Sequence, residues 1–386
     1  TITTGNMNIA VGYDAMNGGA VTGDNNIAIG ASAGDALTSG HTNVLMGKNA
    51  GGAMTTTIRN VAIGDSAAPA MTIGKYNTAV GYEALLSEDV GDTTVAIGYQ
   101  ALANQNSDSD NETTGNTAVG YAVGLEQTTG TNNTYLGYIA GRYNQTGANN
   151  TYLGFQAGYG ASGQSNSGNT GVGYQSLLAI TDGGYNTTVG LNSGVALTTG
   201  DQNVFIGSSA GHATQDVDYA VCIGNNAAIE NMTSAADGTI AIGYSALRNL
   251  TSGPGNLAVG FSALIACTTG IGNVAIGSGS LATEDTGDKC VAVGTRALAL
   301  QNRDGTVGNT AVGWHAGAAI TTGYQNTLMG INAGGASTTA SGSVFIGYSA
   351  GTDVTTGNFN IGIGRSALNG GTTTGDSNIA IGANAG

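Results

Sequence analysis

The sequence predicts an all-β protein, a parallel β-solenoid of about 22 coils of 17 residues that forms one continuous repeat domain over residues 1–386. Three observations predict it. An aliphatic residue followed by Gly, usually within Asn-x-x-aliphatic-Gly, recurs 22 times, its Gly running from Gly12 to Gly382, and most of the intervening spacings are 17 residues. Such a period is too short for a helix pair but fits one turn of a solenoid. The composition agrees: 68 Gly with only 2 Pro and 9% charged residues excludes collagen, which needs Gly at every third place and abundant Pro. Periodic Val and Ile exclude a flexible linker or a disordered chain. Finally, aliphatic residues alternate at strand period within each copy.

Each part of the repeat has a reason. Asn opens 17 of the copies; it tolerates turn dihedrals, and stacked Asn side chains can form ladders from coil to coil. The fourth position is aliphatic in every copy, and the second is usually Val, Ile or Thr. Both are expected to point inward, so that Val11, Ile29, Ile63, Val80, Ile97, Val119, Leu136, Leu153, Val172, Val189, Ile206 and Ile223 form the predicted core. The following Gly bends the chain where a Cβ would clash. The eighth position is Ala or Ser in all copies but one, Val123, which implies a narrow interior. A T-T-G stretch supplies a further corner. One such coil cannot bury itself, so stacking on its neighbours is the folding mechanism.

Longer spacings are not random. Spacings of 19 end at Gly173, Gly243 and Gly313, and one of 22 ends at Gly120. The segments LSEDVGD (86–92) and LATEDTGD (281–288) match, as do ALANQN and ALALQN, which points to duplication of a block of about four coils. Tyr82, Tyr99, Tyr121, Tyr138, Phe155 and Tyr174 follow the anchor Gly in six successive coils. Elsewhere that place holds Lys48, Asp65 or Arg365, so it faces outward, either as a stacked aromatic ladder or as a lateral interface. Joining Gly386 to Thr1 would continue the anchor series at a spacing of 16, which leaves open a piece of a longer repeat or head-to-tail stacking of chains.

Little in the chain points to reaction chemistry. His41, His212 and His315 occupy different places in the repeat and do not stack. GYSAG (347–351) lacks the strand–turn–helix setting of a nucleophile elbow. Asp108, Asp110 and Glu112 form the best acidic cluster, a weak calcium candidate without the Gly and the later Glu of an EF-hand. Cys222, Cys267 and Cys290 make no disulfide framework and read as small buried fillers. No pair of carboxylates sits in an obvious groove, so an enzyme is not expected, nor a cofactor. A net charge of −15 with nine Lys and Arg argues against nucleic acid, and no apolar run is long enough for a membrane helix.

The segments NNIAIGASAG (25–34), GNVAIGSGSLA (272–282) and YNTAVGYEALL (76–86) resemble the repeats of YadA-like trimeric adhesin heads and of long bacteriophage tail fibres. That resemblance covers nearly the whole chain and implies a left-handed parallel β-roll. The expectation is therefore a structural fibre protein, extracellular or on a cell or virion surface, partnered by copies of itself and by a cell-surface glycan if it is adhesive. The alternative is an ice- or polysaccharide-binding solenoid displaying rows of Thr.

Overall fold

The computed structural model describes residues 4–110, 112–371 and 373–386. It is all-β. Three-residue parallel strands recur about every 17 residues, a β-solenoid of about 22 turns; among the described residues the helical content is one 3-10 turn, Ser234–Ala236. The chain divides into two compact units, Thr1–Leu191 and Asn192–Gly386. In the first, strands run from Ile9–Val11 to Thr187–Val189; in the second, from Val204–Ile206 to Ile379–Ile381, with a small extra parallel pair, Gly287–Asp288 and Gly305–Thr306. Within each unit strands pair with the next coil in register, for example Ile27, Ala28 and Ile29 against Val44, Leu45 and Met46.

Each coil turns its corners with left-handed residues. In the coil of Gly260 these are Ser262 (φ 51°), Leu264 (φ 51°) and Gly272 (φ 65°). A non-Gly residue in that region is strained and persists only where its surroundings over-determine it. Here the hydrogen bonds between coils do so: Ser262 N–H donates to the Tyr244 carbonyl (2.9 Å) and Leu264 N–H to the Ser280 carbonyl (2.9 Å).

The Asn ladder expected from the sequence is present inside the solenoid. The Oδ1 of Asn26 accepts the backbone N–H of Asn43 (3.0 Å), and that of Asn43 accepts the N–H of Asn60 (3.0 Å). The side-chain Nδ2 of each ties the opposite corner, Asn43 to the Thr57 carbonyl (3.0 Å) and Asn60 to the Gly74 carbonyl (2.8 Å). Asn26, Asn43 and Asn60 are buried, so their amides serve as internal rungs.

This ladder fixes which strand face is inside, and it corrects the expected core. Successive strand residues point to opposite faces. With Asn43 inside, Leu45 is inside too, and Val44 and Met46 face out. The rule holds from the second coil onward: the middle residue of each three-residue strand is buried and its two neighbours are half-buried or exposed. Val11, Ile29, Ile63, Val80, Ile97, Val119, Leu136, Leu153, Val172, Val189, Ile206 and Ile223 therefore line the outer face, not the core. The physical reason is room. The interior at the middle position is narrow and takes Ala in most coils, whereas a branched side chain fits the outside of the sheet.

The true core trades size between two places in many coils. Where the middle residue is large, the residue four places after the anchor is Gly. Tyr135 pairs with Gly141, Tyr152 with Gly158, Phe205 with Gly211, Leu328 with Gly334 and Phe345 with Gly351. Where that second place is Leu, as at Leu85, Leu102, Leu247 or Leu264, the middle residue is Ala. In these coils the exchange keeps the interior filled, as close packing requires, and where both places are small, as at Ala28 and Gly34, a side chain of the next coil, Leu45, reaches over the Gly. Phe345→Ala should cost about 3–5 kcal/mol in urea denaturation by leaving a cavity. Gly351→Leu alone should also destabilise, because any Cβ at Gly351 meets the Phe345 ring. The double variant should recover much of the loss, since it rebuilds the Ala–Leu pairing of other coils.

Candidate functional site: the outer sheet face

The outward parity leaves two uncharged columns on the surface of each unit, the fourth-position one aliphatic throughout and the second-position one a mixture of aliphatic residues and Thr, with Thr78, Thr117, Thr134, Thr151, Thr170 and Thr187 in the unit Thr1–Leu191. In the unit Asn192–Gly386 the fourth-position column runs Ile206, Ile223, Ile242, Val259, Ile276, Val293, and the second-position column beside it starts Val204, Val221, Ile240. Exposure reaches 44% at Leu136 and Met329 within the interior coils. None of the 24 acidic or nine basic residues stands in either column. Three strand residues by eleven coils make a flat strip of roughly 500 Å² per unit. A contiguous patch of that size matches the largest on a typical monomer, and such patches are often functional.

In the unit Thr1–Leu191 this strip is bordered by the aromatic column. Tyr82, Tyr99, Tyr121, Tyr138, Phe155 and Tyr174 are all exposed and stack in series. The ring centroids lie 5.0–5.3 Å apart and the planes differ by 5° to 13°. The structure thus brings the six expected residues together. Their faces are spent on one another, each stacked pair being worth about 0.5–1.5 kcal/mol, so the ladder shows solvent its edges. In the other unit a shorter stack, Tyr244 on Phe261, holds the same place (5.2 Å).

The corners are occupied with holding coils together. At the T-T-G corner the first Thr donates its hydroxyl to the carbonyl one coil on, as Thr55 does to Thr72 (3.0 Å) and Thr251 to Thr268 (3.1 Å). Many acidic side chains act in the same way. Asp92 Oδ1 accepts the backbone N–H of Lys75 (2.7 Å), and Asp288 Oδ1 that of Ile271 (2.8 Å). Part of the acidic excess is therefore structural. The extra residues of the coils ending at Gly120, Gly173, Gly243 and Gly313 also enter at this corner. Asp108 and Asp110 are exposed there, and Glu112 Oε2 accepts the Asp108 N–H (3.1 Å). Among the described residues no group of three His, Cys, Asp or Glu side chains is gathered to hold a metal ion.

Cys222, Cys267 and Cys290 are buried, free thiols. Burial pushes the last two up to about 12 and raises Cys222 as well, so the reactive thiolate is suppressed.

Two buried carboxylates escaped sequence reasoning, although the LSEDVGD and LATEDTGD match held both. Glu88 and Glu284 lie inside the solenoid. Glu88 is satisfied: Oε1 accepts the Gly91 N–H (2.7 Å) and Oε2 the Ser107 hydroxyl (3.0 Å). Glu284 Oε1 accepts the Gly287 N–H (2.7 Å), but Oε2 has no partner, because Arg303 stands where Ser107 does in the earlier block. Burial holds the Glu284 carboxyl above the ordinary range, against the pull of the Gly287 N–H. The folded state then keeps its proton to higher pH than the unfolded state. Stability contributed by the protonated acid is lost as pH rises from the ordinary Glu value of about 4.3 through the raised one. Glu284→Gln should therefore stabilise the protein at neutral pH, with the gain vanishing below about pH 4; denaturant titrations at the two pH values check this.

Comparison with protein-family models and with characterised proteins gives no match. Among the described residues no helix is long and apolar enough to cross a membrane.

Proposed function

We propose that this chain is a structural β-solenoid that assembles laterally with copies of itself through the outer sheet face, as a fibre component of an extracellular, cell or virion surface. The observation that carries the reading is the uncharged strip, an unbroken aliphatic column beside one of aliphatic residues and Thr. A chain of net charge −15 that keeps every charge off two adjacent columns in all its coils is preserving a surface that dry contact would cover. A second copy is the occupant that fits, since a flat, regularly ridged sheet is matched best by an equally flat and periodic one. The two units each carry about 500 Å² of it, against the roughly 800 Å² per partner of a stable interface. The aromatic ladder beside the strip extends the contact.

Sedimentation velocity and electron microscopy of the full chain test this. The expected result is a discrete oligomer with sheet faces apposed, or bundled rods. Single chains at all concentrations would overturn it.

A further inference from the structure

The unit Asn192–Gly386 also carries a groove of opposite character, about 570 Å³ in volume, on the corner side of the solenoid. It exists because one coil is small where its neighbours are large. Ser341 and Gly342 stand between Tyr324–Gln325 of the coil before and Asn358–Phe359 of the coil after. Tyr324 and Phe359, two coils apart and in neighbouring columns, thus line the two ends of the groove. Phe359 is 64% exposed and its ring lies over Gly342, where a Cβ would come within 2.6 Å of it. Hydrogen bonds brace the walls: Ser341 Oγ accepts the Tyr324 N–H (3.2 Å), and Asn358 Oδ1 accepts the Ser341 N–H (3.1 Å).

At the rim stands Arg303, brought there by the extra residues of the long coil. Its guanidinium lies 4.0 Å from the Tyr324 ring centroid and donates to the Thr322 carbonyl (3.2 Å). Both anchors fix its plane, and neither is a carboxylate, so its charge is free to meet an anion. The exposed Thr322 and Thr339 lie along the same groove.

We infer that this groove binds a sugar bearing a carboxylate, such as a uronic acid within an acidic polysaccharide. The apolar C–H face of a pyranose suits the open face of Phe359. Its hydroxyls suit Thr322 and Thr339, and its carboxylate suits the held fork of Arg303. The chain's net charge of −15 disfavours broad binding of a polyanion, so recognition centres on one acidic residue at Arg303. This site is separate from the sheet face and does not depend on self-assembly.

The test is calorimetric titration of the full chain with oligogalacturonate and alginate oligomers, and with the neutral methyl ester of the former. The acid should bind, and the ester about tenfold more weakly, the loss expected for one charge-assisted pair. Arg303→Ala and Phe359→Ala should each weaken acid binding to a similar or greater extent. Thr339→Trp, which fills the groove without removing either residue, should block it. Circular dichroism confirms that each variant is folded. Absence of saturable binding to any acidic oligomer, equal affinity for acid and ester, or wild-type titration by both alanine variants would overturn the inference.

Discussion

Gly277→Ala should be among the most damaging single substitutions in the chain, costing about 4 kcal/mol or more in urea denaturation, a range reserved for a few named mechanisms. All 22 anchor glycines have φ between 127° and 146°, a region that L side chains rarely adopt. They also stack on one another. A Cβ at Gly277 would lie 2.5 Å from both the carbonyl carbon and the oxygen of Gly294. Neither backbone can retreat, because Gly294 N–H donates to the Ile276 carbonyl (2.7 Å) and Gly277 N–H to that of Val259 (2.8 Å). The lesion should also be local. Solenoid stability is close to a sum of nearest-neighbour terms, so protection from hydrogen exchange should fall first in the coils of Gly260 to Gly294. Gly163→Ala is the comparison. That residue is also left-handed (φ 83°) but has nothing within 4 Å of its Cβ, so only the backbone term applies, about 1–2 kcal/mol. Equal losses in the two variants would show that crowding in the glycine column is not the cause.

The glycine column shows why so much of the architecture was legible in the sequence. A position that no side chain can occupy repeats without exception, and its spacing gives the coil length directly. The Asn ladder was legible for the same reason, since a buried amide that must bond to both neighbours admits few replacements. What misled was the direction of the aliphatic residues. Val and Ile at alternating positions normally mark an interior, and in a thick core they would. Here the parity is set by Asn and Gly at the first and fifth places, which share a face with the Ala between them. The sequence held that signal: Ala recurs in most copies between two bulky neighbours, on the same strand face as the Asn and the Gly. The size exchange between Tyr135 and Gly141, and the groove beside Ser341, lay beyond reach for another reason. Both depend on which residues from different coils stack, and on how a ring leans over the Gly of the coil before it.

Replacing Ile223, Ile242 and Val259 together by Lys should abolish self-association while leaving the fold intact. The three lie in one column on successive strands, paired in register as Ile223 to Ile242 and Ile242 to Val259. On an outward face a Lys can lay its stem along the sheet and keep its ammonium in water, so the isolated chain should lose about 1 kcal/mol per site, the repulsion of like charges on adjacent strands included. In an apposed pair of faces the same ammonium groups would be buried without partners, at several kcal/mol each, enough to shift the assembly to single chains in sedimentation. Ala241→Lys, on the strand of Ile242 but pointing inward, is the opposite case and should unfold its neighbourhood whatever the state of assembly. The aromatic border can be tested separately. Tyr121→Ser with Tyr138→Ser removes two stacked rings and should weaken association by less than the lysine triple. If the triple variant unfolds, those side chains point inward after all. If it folds and still associates, the contact lies on another face, and the uncharged strip requires a different occupant.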